Sequence, residues 1–130
     1  MKISCGTIFH DGEQLLIGHI TNSKNWDIPK GQLEQGETYL NCAGREFFEE
    51  TNYRLLANNM KPLGLFPYIK GKQLFLYNYK LRRLPPNLFR CNSFTKEGFP
   101  ELDKFKYVKF SELEKYVSKS LFLIISSLKI

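Results

Sequence analysis

Cysteine is scarce in this chain, and its three residues, Cys5, Cys42 and Cys91, are odd in number. They have none of the paired spacing of a zinc site or a disulfide scaffold, so reduced thiols in a cytoplasmic protein are the expected state. Histidine is scarcer still. His10 and His19 flank an expected hairpin, and neither has a partner at ligand spacing. Long apolar runs are also missing. The most apolar stretch, Leu121 to Ile125, is far too short to cross a bilayer. The opening residues carry no secretory pattern, because Ser4, Thr7 and His10 interrupt their apolar run. No internal repeat, low-complexity tract or linker is visible. These absences leave one domain over residues 1–130, with a single core and no membrane association.

What is present is ordinary in bulk. Hydrophobic residues make up 42% and charged residues 25%, which suits a globular protein. The charge balance is less ordinary, with a formal net charge of +6. A polyanionic partner and a merely basic, solvated surface both fit that excess, since net charge governs association rather than fold.

The elements read as follows. Ser4 to Phe9 and Glu13 to His19 alternate as strands around the turn signal Asp11-Gly12. Thr21 to Asn25 is a polar loop, and Trp26 to Gly31 is a short extended segment broken by Pro29 and Gly31. Thr38 is an N-cap candidate for a helix running to about Thr51. Leu40, Ala43 and Phe47 fall on its core face, with Glu46, Glu49 and Glu50 pointing elsewhere. Gly44, inside that helix, costs roughly 1 kcal/mol relative to alanine, which a close neighbouring backbone would explain. Tyr53 to Ala57, Leu63 to Ile69, Gln73 to Leu81 and Phe105 to Phe110 read as further strands. The stretch from Pro85 to about Asp103 is irregular, and its length marks it as functional or mobile. Ser111 caps a helical turn, and Lys119 to Leu128 closes the chain as a helix. This order predicts an α/β sandwich.

The chemistry concentrates in Arg45-Glu46-Phe47-Phe48-Glu49-Glu50. Glutamates at i, i+3 and i+4 share a helix face. Three crowded carboxylates are either well solvated or hold cations, and such hard oxygen ligands suit Mg²⁺ or Mn²⁺.

The segment resembles the Nudix box, G-x5-E-x7-R-E-U-x-E-E-x-G-U, where U is bulky and apolar. Gly31, Glu37, Arg45, Glu46, Phe47, Glu49, Glu50 and Tyr53 match it in spacing. The late glycine is Asn52 here, the non-glycine residue that best tolerates a left-handed helix end. The preceding W-x-x-P-K-G, Trp26 to Gly31, resembles the entry to the box in MutT-like Nudix hydrolases that act on nucleotides and dinucleoside polyphosphates.

The resemblance implies an α/β/α sandwich with a mixed sheet, a loop-helix-loop catalytic segment and a C-terminal helix. It implies hydrolysis of a pyrophosphate linkage in a nucleoside diphosphate joined to another group. Mg²⁺ or Mn²⁺ would be held by Glu46, Glu49, Glu50 and the Gly31 carbonyl, with a further glutamate from the late loop: Glu97 first, Glu101 in reserve. Arg45 would orient a glutamate, and Glu37 would be structural. A non-catalytic nucleotide or RNA sensing module on the same fold is the alternative, although such modules typically lose box carboxylates.

Substrate candidates lie outside the box. Lys30 is placed to meet a phosphate. Tyr68, Phe89 and Phe94 sit near loops, where a base could stack on them. Lys80, Arg82, Arg83 and Arg90 surround Pro85-Pro86 and could hold a phosphate chain or an RNA 5′ end, although a solvated basic edge fits them equally well. Phe75, Tyr77 and Tyr79 alternate along one strand and read as core. Pro67 and Tyr68 fall near positions that separate ADP-ribose from dinucleoside polyphosphate hydrolases, but together they select neither. Monomer and homodimer both remain open.

Overall fold

The computed structural model describes residues 1–130. Its centre is a parallel pair, β1 (Lys2–His10) beside β6 (Lys72–Lys80), in register from Lys2 opposite Lys72 to His10 opposite Lys80. The order across the mixed sheet is β3 (Trp26–Asp27), β2 (Gln14–Ile20), β1, β6 and β5 (Lys61–Pro67). β2 returns antiparallel from β1, while β3 and β7 (Leu102–Lys109) both pair with β2. β4 (Lys30–Gln32) crosses to β1 and sets Gly31 opposite Cys5. β5 is antiparallel to β6.

The period-2 alternation of β1 builds both faces of the sandwich. Cys5 and Phe9 point to a layer beneath α1 (Tyr39–Thr51), where they meet Cys42, Ala43 and Phe47. Ile8 points to the opposite layer beneath α2 (Lys119–Ser126), among Leu121, Ile124 and Ile125. The expected α/β/α sandwich with a mixed sheet is therefore the observed architecture. Phe75, Tyr77 and Tyr79 do line one face, in the α1 layer. Tyr39 stacks on Phe75 at 4.4 Å between ring centroids.

The cap reading holds at both ends of α1. The Thr38 hydroxyl accepts from the Asn41 N–H at 3.1 Å. Asn52 closes the helix at φ 64°, its N–H donating to the Phe48 carbonyl at 2.8 Å. Alanine at that position would have to hold the same left-handed backbone without the local tolerance of Asn. Asn52→Ala is expected to lower stability by about 1 kcal/mol, measured as a reduced melting temperature.

Some expectations need correction. Tyr53 to Ala57 is not a strand. β5 already takes the free edge of β6, so this segment has no ladder to join. Tyr53 instead packs its ring on Phe9 and Phe47, and a single helical turn, Ala57–Asn59, follows. Ser111 does not cap its helical turn, which begins at Phe110 with no side-chain cap. Strand β7 begins at Leu102, three residues ahead of the expected start, because its ladder continues past the irregularity at His19 and Ile20. Nothing lies within 4 Å of a Cβ built on Gly44, so no close backbone accounts for that glycine.

Candidate active site

The box glutamates do not share one environment. Helix α1 leans its C-terminal half against β4, and exposure falls across the face. The Glu49 side chain is 40% exposed and that of Glu46 12%, and Glu50 as a residue is only 6% exposed. Glu50 thus turns inward, not away from the core side as the spacing predicts. Its Oε1 accepts from the backbone N–H of Lys30 at 3.1 Å, tying the helix to the strand that carries Gly31.

Burial is costly for a charge unless something compensates it. Desolvation pushes the Glu50 carboxyl up to about 9, with one backbone N–H opposing and the charges of Glu46, Asp27 and Glu101 adding. Glu46 is also pushed up by burial, although Arg45 opposes the shift.

Arg45 lies among the glutamates. Its Nε donates to Glu37 at 2.7 Å and its Nη2 to the other Glu37 oxygen at 2.9 Å, a bidentate pair. The same guanidinium reaches Glu46 at 2.9 Å, Glu49 at 3.3 Å and the Gln32 carbonyl at 3.1 Å. The hydrogen bonds from Arg45 hold the Glu37 carboxyl down at about 2, from an ordinary 4.5. A depressed carboxylate contributes stability that is complete above the unfolded value and lost as pH falls toward the folded one. Glu37→Gln should therefore melt below the parent at pH 7, and the gap should close between about pH 4.5 and 2. Melting temperatures of both proteins across that range check this.

Gly31 is required by close approach. A Cβ there would lie 2.0 Å from Cδ of Glu46. The missing side chain leaves room for the Glu46 carboxylate beside the Gly31 backbone. As the side chains stand, no three acidic, thiol or imidazole groups converge to ligate a metal. Arg45 instead lies across Glu46 and Glu49. The donor set nevertheless fits a hard divalent cation: oxygen ligands only, one of them, Glu50, buried with no cation paired to it, and a backbone cradle kept open by glycine.

A cavity of about 330 Å³ opens beside Glu50, lined by Thr21, Asp27, Lys30, Thr95 and Glu101 among others. It settles where the late-loop residues sit. Glu101 faces this cavity. Glu97 lies at the tip of a small hairpin in which Phe94 bridges to Pro100 and the Gly98 N–H donates to Thr95, so it stands in the exposed turn. The geometry favours the reserve residue over the first choice. Lys30 faces the cavity too, but its ammonium is engaged by Asp27 at 3.0 Å and lies over the Tyr68 ring at 5.6 Å. Burial pulls the lysine down, yet the Asp27 charge outweighs it and holds Lys30 protonated.

The remaining substrate candidates disperse. Arg90 follows the end of α1, its N–H on the Thr51 carbonyl at 2.9 Å, with the side chain exposed. Arg82 lies beyond the end of β6, near the β1–β2 hairpin, where the Leu81 N–H donates to His10. That is the C-terminal end of β1, four residues beyond Gly6, which pairs with Lys30, and Arg82 does not line the cavity beside Glu50. Phe89 is buried in the α1 layer, Phe94 is 59% exposed, and Trp26 packs against His19 and Tyr116. Sequence reasoning missed Asp27, Thr21 and Thr95. Only Asp27 carried a signal, three residues ahead of Lys30.

The NUDIX domain family model matches residues 2–123. The chain belongs to the NUDIX family. An uncharacterized 17.7 kDa protein of Enterobacteria phage T4 is 31% identical over 97% of this chain and 94% of its own length. An RNA pyrophosphohydrolase of Pelagibacter ubique is 31% identical over 78% of this chain and 66% of its own. The mRNA-decapping protein g5R of African swine fever virus is 34% identical over 63% of this chain, which spans only 36% of that protein. The NUDIX fold itself is matched by the solved structure of a MutT NUDIX hydrolase from Burkholderia pseudomallei. Its TM-score is 0.75 at 13% identity, with 98% of each chain covered.

Proposed function

We propose that this NUDIX chain is a metal-dependent pyrophosphohydrolase that cleaves a phosphoanhydride in a nucleoside diphosphate linked to another group. The observation that carries the reading is the graded carboxylate face of α1 beside an open cavity, with Glu50 buried and lacking a full counter-charge. Glu46, Glu49, Glu50 and the Gly31 carbonyl would hold Mg²⁺ or Mn²⁺, and Glu101 is better placed than Glu97 to add to them. The bound ion supplies charge neutralisation for the phosphates and a lowered pKa for water.

The chain's own groups do the rest. Arg45 orients Glu37 and restrains Glu46 and Glu49 until a cation competes for them. The tie between Glu50 and the Lys30 N–H fixes the strand that presents Gly31. Lys30, held protonated by Asp27, brings positive charge to the cavity wall where a phosphate would lie. A carboxylate of this set accepts the proton of the attacking water, and a nucleotide departs.

Free nucleotides, dinucleoside polyphosphates, ADP-ribose and triphosphorylated or capped RNA 5′ ends share this linkage. The names of two relatives, an RNA pyrophosphohydrolase and an mRNA-decapping protein, favour an RNA 5′ end. The test is product release from a panel of these substrates with Mg²⁺ or Mn²⁺. At least one class should turn over and stop on adding EDTA. Tight binding with no product from any class would overturn the enzyme reading in favour of a sensing module.

A further inference from the structure

A second cavity, of about 470 Å³, lies directly behind the wall of the first. The short segment Pro100 to Leu102 separates them: Leu102 lines both, Pro100 faces the second and Glu101 the first. The second cavity has an aromatic floor. Phe89 and Phe105 meet there at 5.8 Å between centroids, and Phe89 is anchored in the core beneath α1. Its rim is cationic, with Arg90 and Lys104 both lining it and both exposed.

These two cations are free, as most lysines and arginines of the chain are; what sets them apart is their place on the rim of an aromatic-floored cavity. Arg45, Arg83, Lys30 and Lys115 are each ion-paired. Arg90 and Lys104 have no carboxylate within 4.0 Å, and Asp103 between them is committed to His19 at 2.6 Å. Two unpaired cations over an aromatic floor leave a pocket in want of an anion that carries a flat apolar body.

The hairpin contributes the other side. Phe94 is the cross-strand partner of Pro100, so their side chains project from the same face of the hairpin. Phe94 does not itself line the cavity, but it projects from the hairpin face that Pro100 shares, next to it. It is 59% exposed and has no aromatic neighbour. The hairpin that carries it is held by backbone bonds from Thr95 to Phe99 at 2.8 Å and from Glu101 to Ser93 at 2.8 Å. An exposed aromatic on a braced support is a stacking platform at low entropic cost.

We propose that this cavity is a subsite for a second nucleotide, the unit beyond the hydrolysed phosphoanhydride, with Arg90 and Lys104 on its phosphate and Phe94 against its base. The cavity size suits one nucleotide rather than a larger ligand. Its position along the Pro100–Leu102 wall sets that unit one step from the carboxylates. The inference rests on the pyrophosphohydrolase reading for the word "second", but the binding chemistry stands without it. The unit could come from an RNA chain or from the far half of a dinucleoside polyphosphate.

The probe is a fluorescently labelled single-stranded RNA pentanucleotide with a 5′ hydroxyl, which contains no phosphoanhydride and cannot report on hydrolysis. Its affinity is measured by anisotropy against Arg90→Ala, Lys104→Ala, Phe94→Ala and Lys115→Ala. Each of the first three should weaken binding roughly tenfold. The two cation variants should also reduce the salt slope by about 0.7 for each phosphate that is no longer neutralised. Lys115→Ala removes the same charge from the α2 side and should change nothing. Displacement of the probe by the dinucleotide ApA but not by AMP would assign the pocket to a chain-internal unit. Displacement by AMP as well would assign it to a free or terminal nucleotide; both outcomes support the subsite. Absence of probe binding would overturn it. So would equal affinity in all variants, or a loss in Lys115→Ala as large as in Arg90→Ala. If binding follows the first pattern while no substrate turns over, the hydrolase reading fails and the subsite stands.

Discussion

Glu50→Gln is expected to lose turnover by about 10³-fold or more and, without metal, to melt at or above the temperature of the parent. The two effects have one cause. Glu50 is 6% exposed and receives a single backbone N–H from Lys30. A carboxylate there lacks compensation in the metal-free protein, so neutral glutamine of the same shape relieves the fold. Glutamine also keeps an acceptor for the Lys30 N–H. The same neutral group cannot serve as an anionic ligand or accept a proton. The measurement pairs a melting curve in EDTA with an activity assay in Mg²⁺. Near-normal turnover would remove Glu50 from the metal set. A large drop in melting temperature would mean that the carboxylate supports the fold. Glu49→Gln should match it in activity. The Glu49 side chain is 40% exposed, so its stability should hardly change.

The second large effect is expected from Gly31→Ala. The new methyl carbon would stand 2.0 Å from Cδ of Glu46 and 2.1 Å from its Oε1. Those atoms are the far end of a flexible side chain, so the fold can yield by swinging Glu46 aside. Folding should survive with a melting temperature within a few degrees of the parent. Binding of Mn²⁺, followed by calorimetry, should weaken sharply, and turnover should fall with it. Unchanged Mn²⁺ affinity would show that Glu46 does not need its present place beside Gly31.

Reading the sequence worked where short-range periodicity fixes geometry. α1 and its glutamates follow from a 3.6-residue repeat between a threonine cap and an asparagine stop, and every link in that argument spans a few residues. The sandwich followed from the order of strands and helices. The spacing could not grade the three glutamates. Their exposures depend on how closely β4 approaches α1, a meeting of distant segments. Which of Glu97 and Glu101 lies beside Glu50 was out of reach of the spacing for a similar reason. It turns on the register of the 93–101 hairpin, which pairs Phe94 with Pro100 and leaves Glu97 at the tip. Tyr53 to Ala57 has strand-like composition, yet a strand needs a vacant neighbour, and β5 had taken it. Arg82 and Arg90 looked alike on either side of Pro85-Pro86, but the fold carries them to different ends of the sheet.

The central parallel pair has a consequence for how fast the protein assembles. β1 and β6 bond along their whole length, yet their residues are separated by about 70 positions in the chain, as Lys2 and Lys72 are. The β2–β7 ladder spans a still longer interval, from Gln14 to Lys109. Chain entropy must be spent on closing these loops before either ladder rewards it. Refolding from denaturant should therefore take milliseconds to seconds rather than microseconds. Helix α1 can form locally much sooner, but its glutamates gain their graded surroundings only when β4 docks on β1. In a growing or refolding chain, the carboxylate face exists as a helix stripe well before it exists as a site.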